Sequence, residues 1–112
     1  MGYSFSCAGA GRAFDIPGHE MIDVREVLRL AVHQAGPDCP VQMHKFESND
    51  GWHVTPEECR AIARLLGGPH GELMVSDYLS FVDEVSDGLV GNVRDLAEFS
   101  ALAADNGGFD VT

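Results

Sequence analysis

Thr55-Pro56-Glu57-Glu58 specifies a helix start more tightly than any other stretch of this chain specifies its own conformation. A threonine oxygen caps the free amides of a first turn. Proline at the first helical position gives up an N–H that has no partner there, and glutamate three residues after the threonine closes a capping box. Both acids also favour the positive end of the helix dipole. Downstream, Cys59, Ile62, Ala63 and Leu66 fall on one face, and Gly67-Gly68-Pro69 ends the helix. Upstream, Ser48-Asn49-Asp50-Gly51 carries turn chemistry, because Asn, Asp and Gly tolerate positive φ. Residues 41–46 have the alternation of a short strand and Trp52-His53-Val54 returns as a second, so residues 41–54 read as a hairpin feeding a helix.

The flanking segments extend this pattern. Tyr3-Ser4-Phe5-Ser6-Cys7 has the period of a half-buried strand, and Ala8-Gly9-Ala10-Gly11 breaks it. Gly-x-Gly without a following Gly-Lys-Ser/Thr is a loop connector rather than a phosphate loop. Asp23-Val24-Arg25-Glu26 reads as a capping box opening a helix to Ala35, with Gly36 as its cap and Pro37 as its stop. Ser76 caps an expected third helix that packs Tyr78, Phe81, Val82 and Val85 and ends near Gly88. Asn92 caps a fourth, running to Asp105 over Val93, Leu96, Ala97, Phe99 and Ala103. Asn106-Gly107-Gly108 terminates it before a last strand, Phe109-Asp110-Val111. The expectation is one α+β domain over residues 1–112, with about four helices and a small antiparallel sheet of three to four short strands.

Charge narrows the classes of function. The net charge is −11, and it is uneven: residues 1–70 hold nine acids against six Lys/Arg, residues 71–112 nine acids against Arg94 alone. Such a field repels nucleic acid and anionic membranes and attracts basic proteins. The apolar runs are too short for a membrane span. Three cysteines with no Cys-x-x-Cys pair do not form a disulfide framework, and no basic segment precedes a long apolar stretch at the N-terminus. A reducing cytoplasm is the compartment expected.

Chemistry-bearing residues concentrate around the hairpin and the acidic third. An EF-hand alignment with Gly51 at loop position six leaves Phe46 where the first Asp ligand belongs. Cys39, His44, His53 and Cys59 would make a zinc set, but Cys59 falls on the apolar face of its helix and is better explained as packing. No metal and no cofactor are therefore expected. His53 beside Glu47 or Asp50 makes a candidate acid–base pair, and Trp52 an apolar wall for a ligand. No activated nucleophile accompanies them, so catalysis is not assigned. Cys7 would need a base from His19, His33 or His70. Asp77, Asp83, Glu84, Asp87, Asp95 and Glu98 decorate the last two helices, and Asp83, Glu84, Asp95 and Glu98 are the candidate partner-binding acids.

The segment Asn49-Asp50-Gly51-Trp52-His53-Val54-Thr55-Pro56-Glu57-Glu58-Cys59, taken with Gly107-Gly108-Phe109-Asp110-Val111, resembles small proteins of actinobacteria and their phages. Those proteins join an Asn-Asp-Gly-Trp turn to a Thr-Pro-Glu-Glu helix start and finish on Gly-Gly-Phe-x-Val. The resemblance implies a single cytosolic, phage-related domain and transfers no activity or catalytic residue. The leading expectation is a non-enzymatic binding protein in phage–host interplay that engages a basic protein partner. Its alternatives are a metabolite- or nucleotide-binding protein with a pocket beside Trp52, His53, Glu47 and Asp50, and a small hydrolase using His53 and a nearby acid.

Overall fold

A computed structural model of the chain, describing residues 2–112, has four α-helices on one face of a four-stranded antiparallel sheet. The strands are β1 (Gly2–Cys7), β2 (Arg12–Pro17), β3 (Trp52–Val54) and β4 (Phe109–Val111), in spatial order β2-β1-β4-β3. The helices are α1 (Gly18–Ala35), α2 (Pro56–Leu66), α3 (Gly68–Leu79) and α4 (Leu89–Ala104). This is the α+β class expected, with one sheet face packed and the other open to water.

The strand alternation explains that division. Phe5, Cys7, Ile16, Val54, Phe109 and Val111 point inward and are fully or almost fully buried. The intervening positions, among them Ser4, Ser6, Asp15, His53 and Asp110, occupy the outer face. Phe109 is the hub of the core. Its ring lies 5.7 Å from Phe5, 6.4 Å from Phe46 and 5.3 Å from Phe99, so it joins sheet to helices.

Helix α2 starts as its sequence requires. Thr55 Oγ1 accepts from the Glu58 N–H at 3.2 Å, and Glu58 Oε1 accepts from the Thr55 N–H at 3.1 Å. Glu58 has a second task that the cap alone does not reveal. Its carboxylate is buried and takes the Gln42 N–H at 3.0 Å and Lys45 Nζ at 2.5 Å. That pull draws residues 41–46 over the helix end, and Met43–Phe46 forms a 3-10 turn instead of the expected strand. The hairpin is therefore not formed, and β3 pairs with β4 from the far end of the chain.

Three helix boundaries also move. Helix α1 begins at Gly18, directly after Pro17, five residues before the expected capping box. Asp23 is drawn away from local capping by tertiary partners, accepting from Tyr78 Oη at 2.7 Å and the Ser86 N–H at 2.8 Å. Helix α3 begins at Gly68, so Gly67-Gly68-Pro69 ends one helix and starts the next, with Pro69 tolerated in the first turn. Ser76 lies inside α3, and residues 80–88 form an irregular connection in which Phe81 is 69% exposed. Helix α4 begins at Leu89, and Asn92 donates to Glu20 Oε1 at 2.9 Å instead of capping. Its anticipated apolar face is buried.

The α4–β4 connection depends on Gly108. Its φ of +87° lies in the left-handed region, and a Cβ there would collide with the Val54 carbonyl oxygen. Glycine is what lets β4 turn in beside β3.

Candidate functional site

The joint between β3 and β4 places Trp52 and His53 on opposite sides of the sheet. Trp52 Nε1 donates to Ser48 Oγ at 2.9 Å, and the indole meets the His44 ring edge-on, centroids 4.8 Å apart. The Trp52 side chain thus ties the Ser48-Asn49-Asp50-Gly51 turn to the 3-10 segment while remaining 38% exposed. His53 is directly opposite Asp110, and its Nδ1 lies 2.8 Å from Asp110 Oδ1. The carboxylate beside His53 is therefore Asp110, which sequence separation hides. Glu47 instead accepts from Arg29 at 3.3 Å, and Asp50 is exposed in the turn.

Across the outer face, Ser6 of β1 opposes Asp110, which opposes His53. A Ser, an Asp and a His share one row, but the aspartate stands in the middle. General-base activation of a serine needs the imidazole between hydroxyl and carboxylate. The row instead presents the His53–Asp110 pair beside Ser6 on the open face of the sheet.

The cysteines are packing residues. Cys7 and Cys59 are buried, and their thiols lie 3.8 Å from the carbonyl oxygens of Asn106 and Val54 respectively. Burial, reinforced by the adjacent Glu58 charge, pushes the Cys59 thiol up to about 12, so it stays protonated at neutral pH. A thiolate ligand for zinc is not available there. Among the described residues, no three His, Cys, Asp or Glu side chains converge as a metal would require. His70 Nδ1 is taken up by the Leu65 carbonyl at 2.8 Å, away from Cys7.

The acidic candidates lie elsewhere. Asp83 and Glu84 are exposed in the irregular connection after α3, while Asp95 and Glu98 are exposed on α4. Val90, 59% exposed, lines a groove together with Glu98, while Leu73 at 55% and Phe81 at 69% are exposed apolar side chains of α3 and of the connection after it. Between α3 and α4 runs a groove of about 360 Å³, floored by Leu66, Val75 and Val93 and rimmed by Glu72, Arg94 and Glu98. A second groove of about 230 Å³ lies between β2 and α4, lined by Arg12, Phe14, Phe99 and Leu102 beneath Asp95 and Glu98. Glu98 stands on the ridge between the two. Neither groove is lined by Trp52 or His53. The acids were legible in the sequence, but the apolar floors beside them were not, because each combines residues from separate elements.

No helix among the described residues is long and apolar enough to cross a membrane. Comparison of the chain with protein-family models, curated proteins and solved structures gives no match, so the geometry stands without a relative to interpret it.

Proposed function

We propose that the chain is a non-enzymatic binding protein whose acidic α3–α4 side engages a basic protein partner. The observation that carries this reading is the apolar groove floored by Leu66, Val75 and Val93, with exposed Val90 and Glu98 at its rim and Asp95 one turn away from Glu98 on α4. An apolar groove with charge at its rim is the kind of surface that marks an interaction site. The apolar groups supply affinity, and the acids supply orientation and encounter rate toward a cation-bearing surface. A role in phage–host interplay follows from the resemblance of the two motif segments and from nothing else.

The test is the quadruple reversal Asp83→Lys, Glu84→Lys, Asp95→Lys and Glu98→Lys. All four side chains are exposed, so the fold is expected to persist. Capture of basic proteins from host lysate is expected to fall by at least about tenfold, and wild-type capture to collapse near 1 M salt, where screening is complete within about 3 Å. Capture that survives both changes sinks the proposal.

A small-ligand reading has its own support, because about 360 Å³ is within the usual range of small-molecule sites. It moves the expected pocket from Trp52 to the α3–α4 groove. Native mass spectrometry of the purified chain would then show a bound mass that Val90→Glu removes. A wild-type spectrum at the apoprotein mass alone counts against it.

A further inference from the structure

The sheet has an open edge, and its hydrogen-bonding groups can be identified. Ser4 and Thr112 exchange both backbone hydrogen bonds, each 2.9 Å, so the polar backbone groups of Ser4 face β4. Alternation then turns those of Tyr3, Phe5 and Cys7 toward β2. Their partners in register are Ile16, Phe14 and Arg12. Ala13 and Asp15 are left facing outward, each with an N–H and a C=O that no described residue takes up, while the Pro17 carbonyl is committed to the first turn of α1. Strand β2 is terminal in the sheet order, six residues long and without proline before its last position.

Natural proteins blunt such edges with lysine, bulges or covering segments. Strand β2 has no lysine, no bulge in its register and, among the described residues, no covering segment. Its charges are Arg12 at one end and Asp15, and Pro17 closes it, which leaves Ala13 to Asp15 as the open stretch. Beside it lies the 230 Å³ groove, where Phe14, Phe99 and Leu102 would receive an inward side chain of an added strand. Asp95 and Glu98 rim that groove, and Asp15 marks the outer side of the same edge.

We infer that β2 is a docking edge for an extended segment of a basic protein, which adds a fifth strand with an apolar side chain beside Phe14 and cations facing Asp15, Asp95 and Glu98. The inference rests on the basic-partner reading and locates its contact. In strand addition the backbone bonds supply affinity, and alternate side chains supply specificity. The charge of −11 argues against a second copy as the occupant, since self-pairing along β2 would bring two α4 acid ridges together.

The probe is a short capped lysine-rich peptide with one central valine, so that an added strand carries cations on both faces, with the peptide bearing glutamate in place of lysine as control. With the wild-type chain, the lysine peptide is expected to slow amide exchange at Ala13 and Asp15. Arg12, Phe14 and Ile16, already bonded to β1, stay unchanged. Ala13→Pro removes one outward donor without touching the β1 ladder, as edge strands permit, and is expected to weaken binding about tenfold. If that variant fails to fold, the wild-type exchange pattern still decides. Absence of selective slowing, or equal binding of the glutamate peptide, overturns the inference. So does protection of Ala13 and Asp15 that grows with protein concentration alone, because a second copy then holds the edge. Loss of binding in Asp95→Lys/Glu98→Lys with full binding in Ala13→Pro defeats the edge while the basic-partner reading survives.

Discussion

Phe109→Ala is expected to bring the domain to the margin of unfolding, with a loss of about 3–5 kcal/mol. The ring is 1% exposed and touches three other aromatic rings contributed by β1, the 3-10 segment and α4. Surrounding atoms cannot collapse onto the space, because each neighbouring ring is held by its own element. A domain of this size has about 5–15 kcal/mol of stability in total, so the loss takes a large share. Urea unfolding followed by circular dichroism measures it. Phe109→Leu keeps most of the volume and should cost less than half as much. Equal losses in the two variants would show that the aromatic hub is not what holds sheet to helices. The same substitution should disturb His53 and Asp110, since β4 positions both.

Lys45→Met is expected to cost about 3 kcal/mol, more than its largely aliphatic stem suggests. It leaves the Glu58 carboxylate charged and buried, with two backbone N–H groups as its remaining strong partners. Breaking one side of a buried pair costs about 3–5 kcal/mol, because the surviving charge has lost its compensation. The lower end applies because those backbone bonds remain. The double variant Lys45→Met/Glu58→Leu should recover part of the loss, and failure to recover any would point to packing of the lysine stem instead.

The same carboxylate gives a pH dependence of defined sign. Burial pushes the Glu58 carboxyl up, but hydrogen bonds from Lys45 and from the Gln42 and Thr55 N–H groups outweigh it. The group ends below its ordinary 4.5. A carboxyl depressed on folding contributes stability that is fully present above its unfolded value and lost as pH falls through its folded one. Glu58→Gln should therefore narrow the stability gap between pH about 7 and pH about 3, read as the shift in urea midpoint. An unchanged gap would remove Glu58 as a source of acid sensitivity.

These two residues also separate what could be read locally from what could not. The capping role of Glu58 was plain from its spacing to Thr55. Its buried partnership with Lys45 was not, and that partnership converts an expected strand into a 3-10 turn. Asp23 repeats the lesson, since Tyr78 and Ser86 are remote in sequence and draw it out of an apparent capping box. Strand β2 has only a faint local signal, Phe14 and Ile16 two apart with Pro17 closing the run, and the glycine-rich break beside it hides the pattern. The carboxylate beside His53 is Asp110, supplied by register from the far end of the chain, and not Glu47 or Asp50, the two that local spacing favours.

By itself the sequence determined the fold class, the start of α2, the buried face of α4, the last strand and the lopsided charge. Each follows from interactions within one turn or one strand, where neighbours along the chain are neighbours in space. Only the tertiary structure decided that β3 pairs with β4, that a basic–acidic pair holds the 3-10 turn, and that β2 is left as an open edge under two acids of α4. Those outcomes depend on which distant groups satisfy a buried charge or an unpaired backbone amide, and no local spacing records that.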